Sequence, residues 1–291
     1  MFFFLLYFLV GGAVFAIILM GFGLDAESMF VSVPMYVLLL FVPFVFYLLF
    51  TRQSHKAVLK WKPLGRKNVL LVIGLSIALI PLVNIVSRLS AFIFFPMIND
   101  YMADIAAYPF WLSMLSVAVF PALFEEFLVR GALYKEFEQL PIKKIALITA
   151  LFFGIIHLNF HQAIYAGLFG VLYAYVLFYT QSIWAPILMH FINNGLFVVL
   201  AYVGPYNDWY DALWENPPMF FLVYGGLSLV LLPVLLICFK KLKANAVPPP
   251  PKEEAEETGG QKIKVFTWAF WVSLGIFLLV AGLLEIGNRI L

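Results

Sequence analysis

Pro121-Ala-Leu-Phe-Glu125-Glu126-Phe-Leu-Val-Arg130-Gly131 is the stretch on which the reading of this sequence turns. It follows directly on Phe110-Trp-Leu-Ser-Met-Leu-Ser-Val-Ala-Val-Phe120, a run apolar enough to enter a bilayer. A charged side chain near the middle of a membrane helix costs roughly 2.5–3.5 kcal/mol on insertion scales, so two glutamates and an arginine here need a reason. An internal ion pair accounts for two of the three. Glu126 and Arg130 stand four residues apart on one helix face, with the acid on the favourable N-terminal side. Glu125 lies about 140° around the helix from Arg130 at 100° per residue, so Arg130 does not easily serve both acids. This spacing gives Glu126 to Arg130 and leaves Glu125 facing something else, with a chemical role preferred to a structural one.

Composition sets the class. Hydrophobic residues make up 64% of the 291 residues and charged residues 12%, about half the charged share usual in soluble domains. Mean hydropathy is +0.99. The expected fold is all-α, a polytopic transmembrane helix bundle of about eight to nine spans. The single cysteine, Cys238, sits in an apolar run, which excludes a disulfide framework and a thiolate metal cluster. Met1 is followed by apolar residues without a basic segment, so a cleaved signal peptide is not expected. No nucleic-acid partner is expected either.

Apolar stretches approaching the length needed to span, about 20 residues, fall at roughly 1–22, 30–50, 69–95, 109–131, 144–158, 162–180, 183–203, 219–239 and 265–287. The fifth is short and is included because the alternation of loop charge requires it. Arg52, Lys56, Lys60, Lys62, Arg66 and Lys67 crowd one loop; Lys135, Lys143 and Lys144 follow the glutamate helix; Lys240, Lys241, Lys243, Lys252, Lys262 and Lys264 precede the last span. The intervening loops carry Asp25 and Glu27, Asp100 and Asp104, and Asp208, Asp211 and Glu215, with no Lys or Arg. Under the positive-inside rule this fits a multi-pass protein of the cell membrane with its N-terminus cytoplasmic and its C-terminus outside. Arg88 and Arg289 are the exceptions, both near enough to the outer surface to snorkel.

Four regions follow. Residues 1–68 hold two spans and a basic cytoplasmic loop, and 69–239 form the core. Residues 240–264, with Pro248-Pro-Pro-Pro251 and Glu253-Glu-Ala-Glu-Glu257, read as a disordered cytoplasmic linker, and 265–291 as an appended transmembrane helix. Within the core, Ala163, Gly167, Gly170 and Ala174 recur at helical spacing, a small-residue stripe read as a packing surface.

More polar groups lie inside the apolar spans. Phe153 and His157 are one turn apart on the fifth span, and His190 and Asn194 one turn apart on the seventh. Reckoned at 1.5 Å per residue from each helix's inner end, Glu125 lies roughly 15 Å deep, His157 roughly 18 Å and His190 roughly 9 Å. All fall in one half of the bilayer, which favours a shared site. There is no Gly-x-Ser-x-Gly, no His-Glu-x-x-His and no Cys near a His. His157-Leu-Asn-Phe-His161 has zinc-helix spacing, but Leu158 stands where the catalytic Glu belongs. Asn159 suggests that the helix ends there, which puts His161 at the outer interface in a structural role. Asn193 sits 100° off the face of Asn194 and is the weaker candidate of the two.

These residues resemble the CAAX prenyl protease and bacteriocin-processing family of intramembrane proteases. The family's Glu-Glu-x-x-x-Arg stands here as Glu125, Glu126 and Arg130, its Phe-x-x-x-His as Phe153 and His157, and its His-x-x-x-Asn as His190 and Asn194. The context Ser182-Ile-Trp-Ala-Pro-Ile-Leu is also similar. The resemblance covers roughly 109–203, with Val129 at a position where the family often has Phe.

The resemblance implies an intramembrane endopeptidase. Glu125 would be general base with His157 orienting a water, and His190 and Asn194 would form an oxyanion hole. Glu126, Arg130 and Phe153 would support the site. A carboxylate taken out of water holds its proton more tightly, nearer the range a general base needs, and N–H groups in a water-poor cavity are strong oxyanion donors. The implied partners are the lipid bilayer and a membrane-anchored or lipidated protein or peptide substrate. No cofactor is expected. The alternative is zinc on Glu125, His157 and His190, disfavoured by the shallower estimate for His190 and by the family's glutamate-activated water. A non-catalytic bacteriocin-immunity or scaffold role is a second reading. A proton-coupled transporter is the third, weakened by the lack of a repeat or of paired broken helices.

Overall fold

The computed structural model describes residues 29–96, 105–246 and 267–290, together with Gly11, Val14, Ile18 and Gly21, which are helical. The expected first span at 1–22 therefore falls almost wholly outside the described residues, as does most of the linker expected at 240–264. The regular structure among the described residues is entirely helical: α1 (Met29–Thr51), α2 (His55–Leu59), α3 (Arg66–Ser90), α4 (Phe110–Glu136), α5 (Ile142–Ile155), α6 (Phe160–Thr180), α7 (Trp184–Ala201), α8 (Gly204–Trp214), α9 (Pro217–Ala244) and α10 (Trp268–Ile290). Six of these, α3, α4, α6, α7, α9 and α10, are long and apolar enough to cross a membrane. The polytopic helical bundle is the observed architecture.

Side-chain contacts group the helix ends as the loop charges do. At the basic end, Lys60 meets Glu138, Ser182 meets the carbonyl of Lys62, and Asn245 meets Asn68. At the other end the Tyr202 hydroxyl donates to the carbonyls of Ile105 and Tyr108. There too the Arg88 guanidinium lies over Phe92 and Trp214, and Arg289 reaches the carbonyl of Ile93. The short fifth stretch is α5, which runs antiparallel to α6 and joins the two ends with the help of a turn at 156–159.

The helix carrying the glutamates is longer and less regular than the expected 109–131. α4 runs to Glu136 and contains two π-helical segments, Met114–Val119 and Phe127–Leu133, which flank the α-helical turn holding Glu125 and Glu126. Pro121 explains the first. A proline has no N–H, and its ring crowds the carbonyl four residues back, here Val117, so the chain widens as it approaches position 121. Wide π turns of this kind recur at functional sites.

α5 and α6 pack closely, as the small-residue stripe requires. A Cβ at Gly154 would lie 2.8 Å from the Ala163 carbonyl oxygen, and one at Gly170 would lie 2.8 Å from the Ala150 Cα. Asn159 begins α6, accepting a hydrogen bond from the Gln162 N–H at 2.8 Å. The break expected at Asn159 is thus an N-cap, and His161 one residue inside α6 is held by Ser87, at 3.0 Å from its carbonyl.

The basic loop is more structured than a tether. Ser54 caps α2, Lys60 ends it in the left-handed conformation (φ 46°), and Val58 and Leu59 are buried. Leu59 seats against α4 at Gly131, where an added Cβ would stand 2.6 Å from Leu59 Cδ2. α10 docks on the bundle through Phe277 and Ala281, which pack with Ile155, and through Glu285, which accepts from the Phe95 N–H at 2.9 Å.

Candidate active site

Four helices supply the site. α4 brings Glu125 and Glu126, buried to 4% and 0% exposure, and Arg130, which is completely buried. α5 brings Phe153, and the turn after it His157; α6 brings Tyr173; α7 brings His190, Asn193 and Asn194.

The expected Glu126–Arg130 pair is present, with Arg130 Nη1 3.2 Å from Glu126 Oε1. Arg130 has further partners: Nη2 donates to the Gly170 carbonyl at 2.9 Å, and the guanidinium lies 4.4 Å from the Phe153 ring centroid and 5.2 Å from that of Tyr173. An unpaired cation in this dry interior would be costly. One carboxylate, one carbonyl and two ring faces together hold this one.

Glu126 has a second partner besides Arg130, since His190 Nδ1 lies 3.0 Å from the same oxygen, Glu126 Oε1. An ionised carboxylate only accepts, so His190 donates from Nδ1. Its Nε2 lies 3.2 Å from Asn194 Nδ2, which also donates to the Val117 carbonyl at 2.9 Å. In a regular helix that carbonyl would accept from residue 121, which is Pro121.

His190 is also not set apart in depth. Its ring meets Phe153 edge-on at 5.6 Å, and the His157 ring meets the same phenylalanine edge-on at 5.1 Å. The estimate placed the start of α7 at the membrane surface. Instead Thr180, Gln181, Ser182 and Ile183 are all buried beneath the Lys60–Lys62 segment, so α7 begins inside the protein.

His157 Nδ1 lies 2.6 Å from the Phe153 carbonyl. A carbonyl can only accept, so Nδ1 carries the proton, and the neutral ring keeps its lone pair on Nε2. Glu125 is near enough for its charge to act on His157, Arg130 and Tyr173.

Tyr173 was not singled out from the sequence. Its ring stacks on His190 at 5.5 Å and 30°, and its hydroxyl accepts from Asn193 Nδ2 at 2.9 Å. Asn193, the weaker sequence candidate, thus acts on the site through Tyr173. The usable signal was helical phase: Tyr173 falls one turn beyond Gly170 on the same face of α6.

Among the described residues no three His, Cys, Asp or Glu side chains converge in a way that could hold a metal ion. The alternative zinc set of Glu125, His157 and His190 is not gathered as ligands in this arrangement.

The fold and the site define a class, a polytopic helical membrane protein with a buried cluster of carboxylates, histidines and an amide between its helices. Residues 107–196 match the model of the type II CAAX prenyl endopeptidase Rce1-like family. That stretch contains each of the site residues named above, and the match agrees with the family resemblance read from the three motifs. No curated protein and no solved structure matches the chain.

Proposed function

We propose that the protein is an intramembrane endopeptidase of the CAAX-protease type, which hydrolyses a peptide bond of a membrane-anchored or lipidated substrate. The observation that carries this reading is the meeting of His157 and His190 at the one ring of Phe153, with Glu125 and Glu126 buried beside them.

Glu125 takes a proton from the attacking water as general base. His157 accepts a hydrogen bond from that water at Nε2, because the Phe153 carbonyl holds the other ring proton at Nδ1. The oxygen attacks the substrate carbonyl, and Glu125 returns the proton to the leaving nitrogen as the C–N bond breaks. His190 and Asn194 bind the oxyanion. In the resting arrangement Asn194 Nδ2 spends its two protons on Val117 and His190, so His190 donates from Nε2 only after that nitrogen has taken up a further proton from solvent. Its countercharge is then Glu126. When the substrate oxygen enters, it replaces His190 as the acceptor of one Asn194 N–H.

No metal is invoked. Activity lost to a chelator and restored by stoichiometric zinc would reverse that choice. The basic end of the bundle faces the cytoplasm of a cell-membrane protein, so a cysteine at position 56 should be labelled only from inside. The deciding experiment is cleavage of a panel of membrane-anchored peptides by the wild type and by Glu125→Gln. Cleavage by the wild type alone, with both proteins equally folded, is the expected result. Equal cleavage by both would remove Glu125 as the base, and no cleavage by either would favour a non-catalytic role.

A further inference from the structure

An apolar groove of about 300 Å³ opens on the bundle surface at its basic end, lined by Leu64, Val69, Trp184, Ile187, Leu188 and Phe191. Trp184, the first residue of α7, is 43% exposed at its mouth. Three cations stand close in the chain to the lining residues Leu64 and Val69: Lys62, Arg66 and Lys67. The hydrogen bond from Ser182 to the Lys62 carbonyl fixes the Lys62 backbone beside the head of α7. Arg66 and Lys67 are the first two residues of α3, which supplies Val69. All three are exposed, and none makes an ion pair among the described residues. Lys60 and Lys135 differ, since both are paired with Glu138.

We propose that this groove is a binding site for an anionic phospholipid, with an acyl chain along α7 and the phosphate at Lys62, Arg66 and Lys67. The lining selects hydrocarbon over peptide. Five of the six side chains are purely hydrocarbon and the sixth, Trp184, offers a single N–H, so a peptide laid in the groove would leave most of its N–H and C=O groups unpaired. Three cations without an ion pair among the described residues favour a negative headgroup over a zwitterionic one. None of the six lining residues belongs to the Glu125–His157 cluster, and the proposal does not rest on the peptidase reading.

The test reads binding and not activity. Purified protein is placed in vesicles with phosphatidylglycerol or phosphatidylcholine brominated on the acyl chain, and tryptophan quenching is recorded. Trp184→Phe isolates the Trp184 contribution from that of the other tryptophans. Half-quenching of Trp184 is expected at a mole fraction of brominated phosphatidylglycerol about fivefold lower than that of brominated phosphatidylcholine. Lys62→Gln/Arg66→Gln/Lys67→Gln, all at exposed positions, should abolish the difference. Lys143→Gln/Lys144→Gln, equally exposed at the same end, should leave it intact. Equal quenching by the two lipids would overturn the site, because the groove would then take hydrocarbon without reading its headgroup. Loss of the preference in the Lys143/Lys144 variant would overturn it too, by showing diffuse surface attraction.

Discussion

Asn194 on α7 donates to the carbonyl of Val117 on α4 at 2.9 Å, and that carbonyl lacks its usual helical donor because residue 121 is proline. The proline that widens α4 therefore also presents the acceptor that orients the asparagine. If Asn194 acts mainly on the developing oxyanion, its effect belongs to the transition state and not to ground-state binding. Asn194→Ala should lower kcat by roughly 10²–10³ with little change in KM. Asn194→Asp removes the donors and sets a carboxylate against the Val117 carbonyl, so activity should return only at low pH, where a protonated Asp donates. An Asn194→Ala enzyme with unchanged kcat and a much larger KM would make Asn194 a substrate-positioning residue instead.

The shared oxygen of Glu126 gives its variants a double effect. Removing one partner of a buried ion pair typically costs about 3–5 kcal/mol, and Glu126→Gln strands Arg130 in that way. It also removes the carboxylate that fixes the His190 tautomer and balances its imidazolium. Glu126→Gln is therefore expected to lower both stability and kcat, whereas Glu125→Gln lowers kcat alone. Thermal unfolding in detergent beside single-turnover cleavage separates the two outcomes. A Glu126→Gln protein of wild-type stability would contradict the pairing seen here.

Much of this site was legible in the sequence because membrane helices leave polar residues few reasons to exist. Glu126–Arg130 followed from helical spacing, and the His157 and His190 motifs from their isolation in apolar runs. Two features were not legible. The His190–Glu126 bond depends on where α7 begins, which is decided by the Lys60–Lys62 segment folding over Ser182, a contact between positions about 120 apart in sequence. The π-helical turns around Glu125 and Glu126 break the 100° rule used to separate the two acids, and only Pro121 announced the first of them. Tyr173 was hidden for a different reason. An aromatic residue on a membrane helix reads as packing, and its stacking on His190 exists only once α6 and α7 meet.

The glycines divide by what they touch. An alanine at Gly154 or Gly170 would press on backbone, the Ala163 carbonyl or the Ala150 Cα, each at 2.8 Å. Backbone in a packed helix pair cannot step aside cheaply, so each substitution should cost about 1–3 kcal/mol. Gly170→Ala should also disturb Arg130, whose Nη2 would stand 3.3 Å from the new Cβ. At Gly131 the obstacle is the end of the Leu59 side chain, which can rotate. Gly131→Ala should cost less than either, and pairing it with Leu59→Ala should recover part of the loss. Equal destabilisation at all three positions in thermal unfolding would show that α2 is held as rigidly as the α5–α6 pair.

Glu138 ties the basic loop to the end of α4, with Lys60 Nζ 2.5 Å from Oε1 and Lys135 Nζ 2.6 Å from Oε2. Burial alone would raise its pKa, but the hydrogen bonds and charges of the two lysines outweigh burial and hold the carboxyl below the ordinary glutamate value of 4.5. The sign of the linkage follows. A folded-state pKa below the unfolded one means that the contribution is fully present above the unfolded value and is lost as pH falls through the folded one. With Glu138 about a quarter exposed, screening limits each pair to roughly 1 kcal/mol or less. The difference in Tm between wild type and Glu138→Gln should therefore be small and constant above 4.5, then shrink toward zero as the pH drops further. Since Lys60 also holds Gln181 at 3.0 Å, the same acid range should loosen the cover over Ser182 and increase its backbone hydrogen exchange. A Tm difference that stayed constant or widened on acidification would mean that the two lysines do not govern this carboxylate.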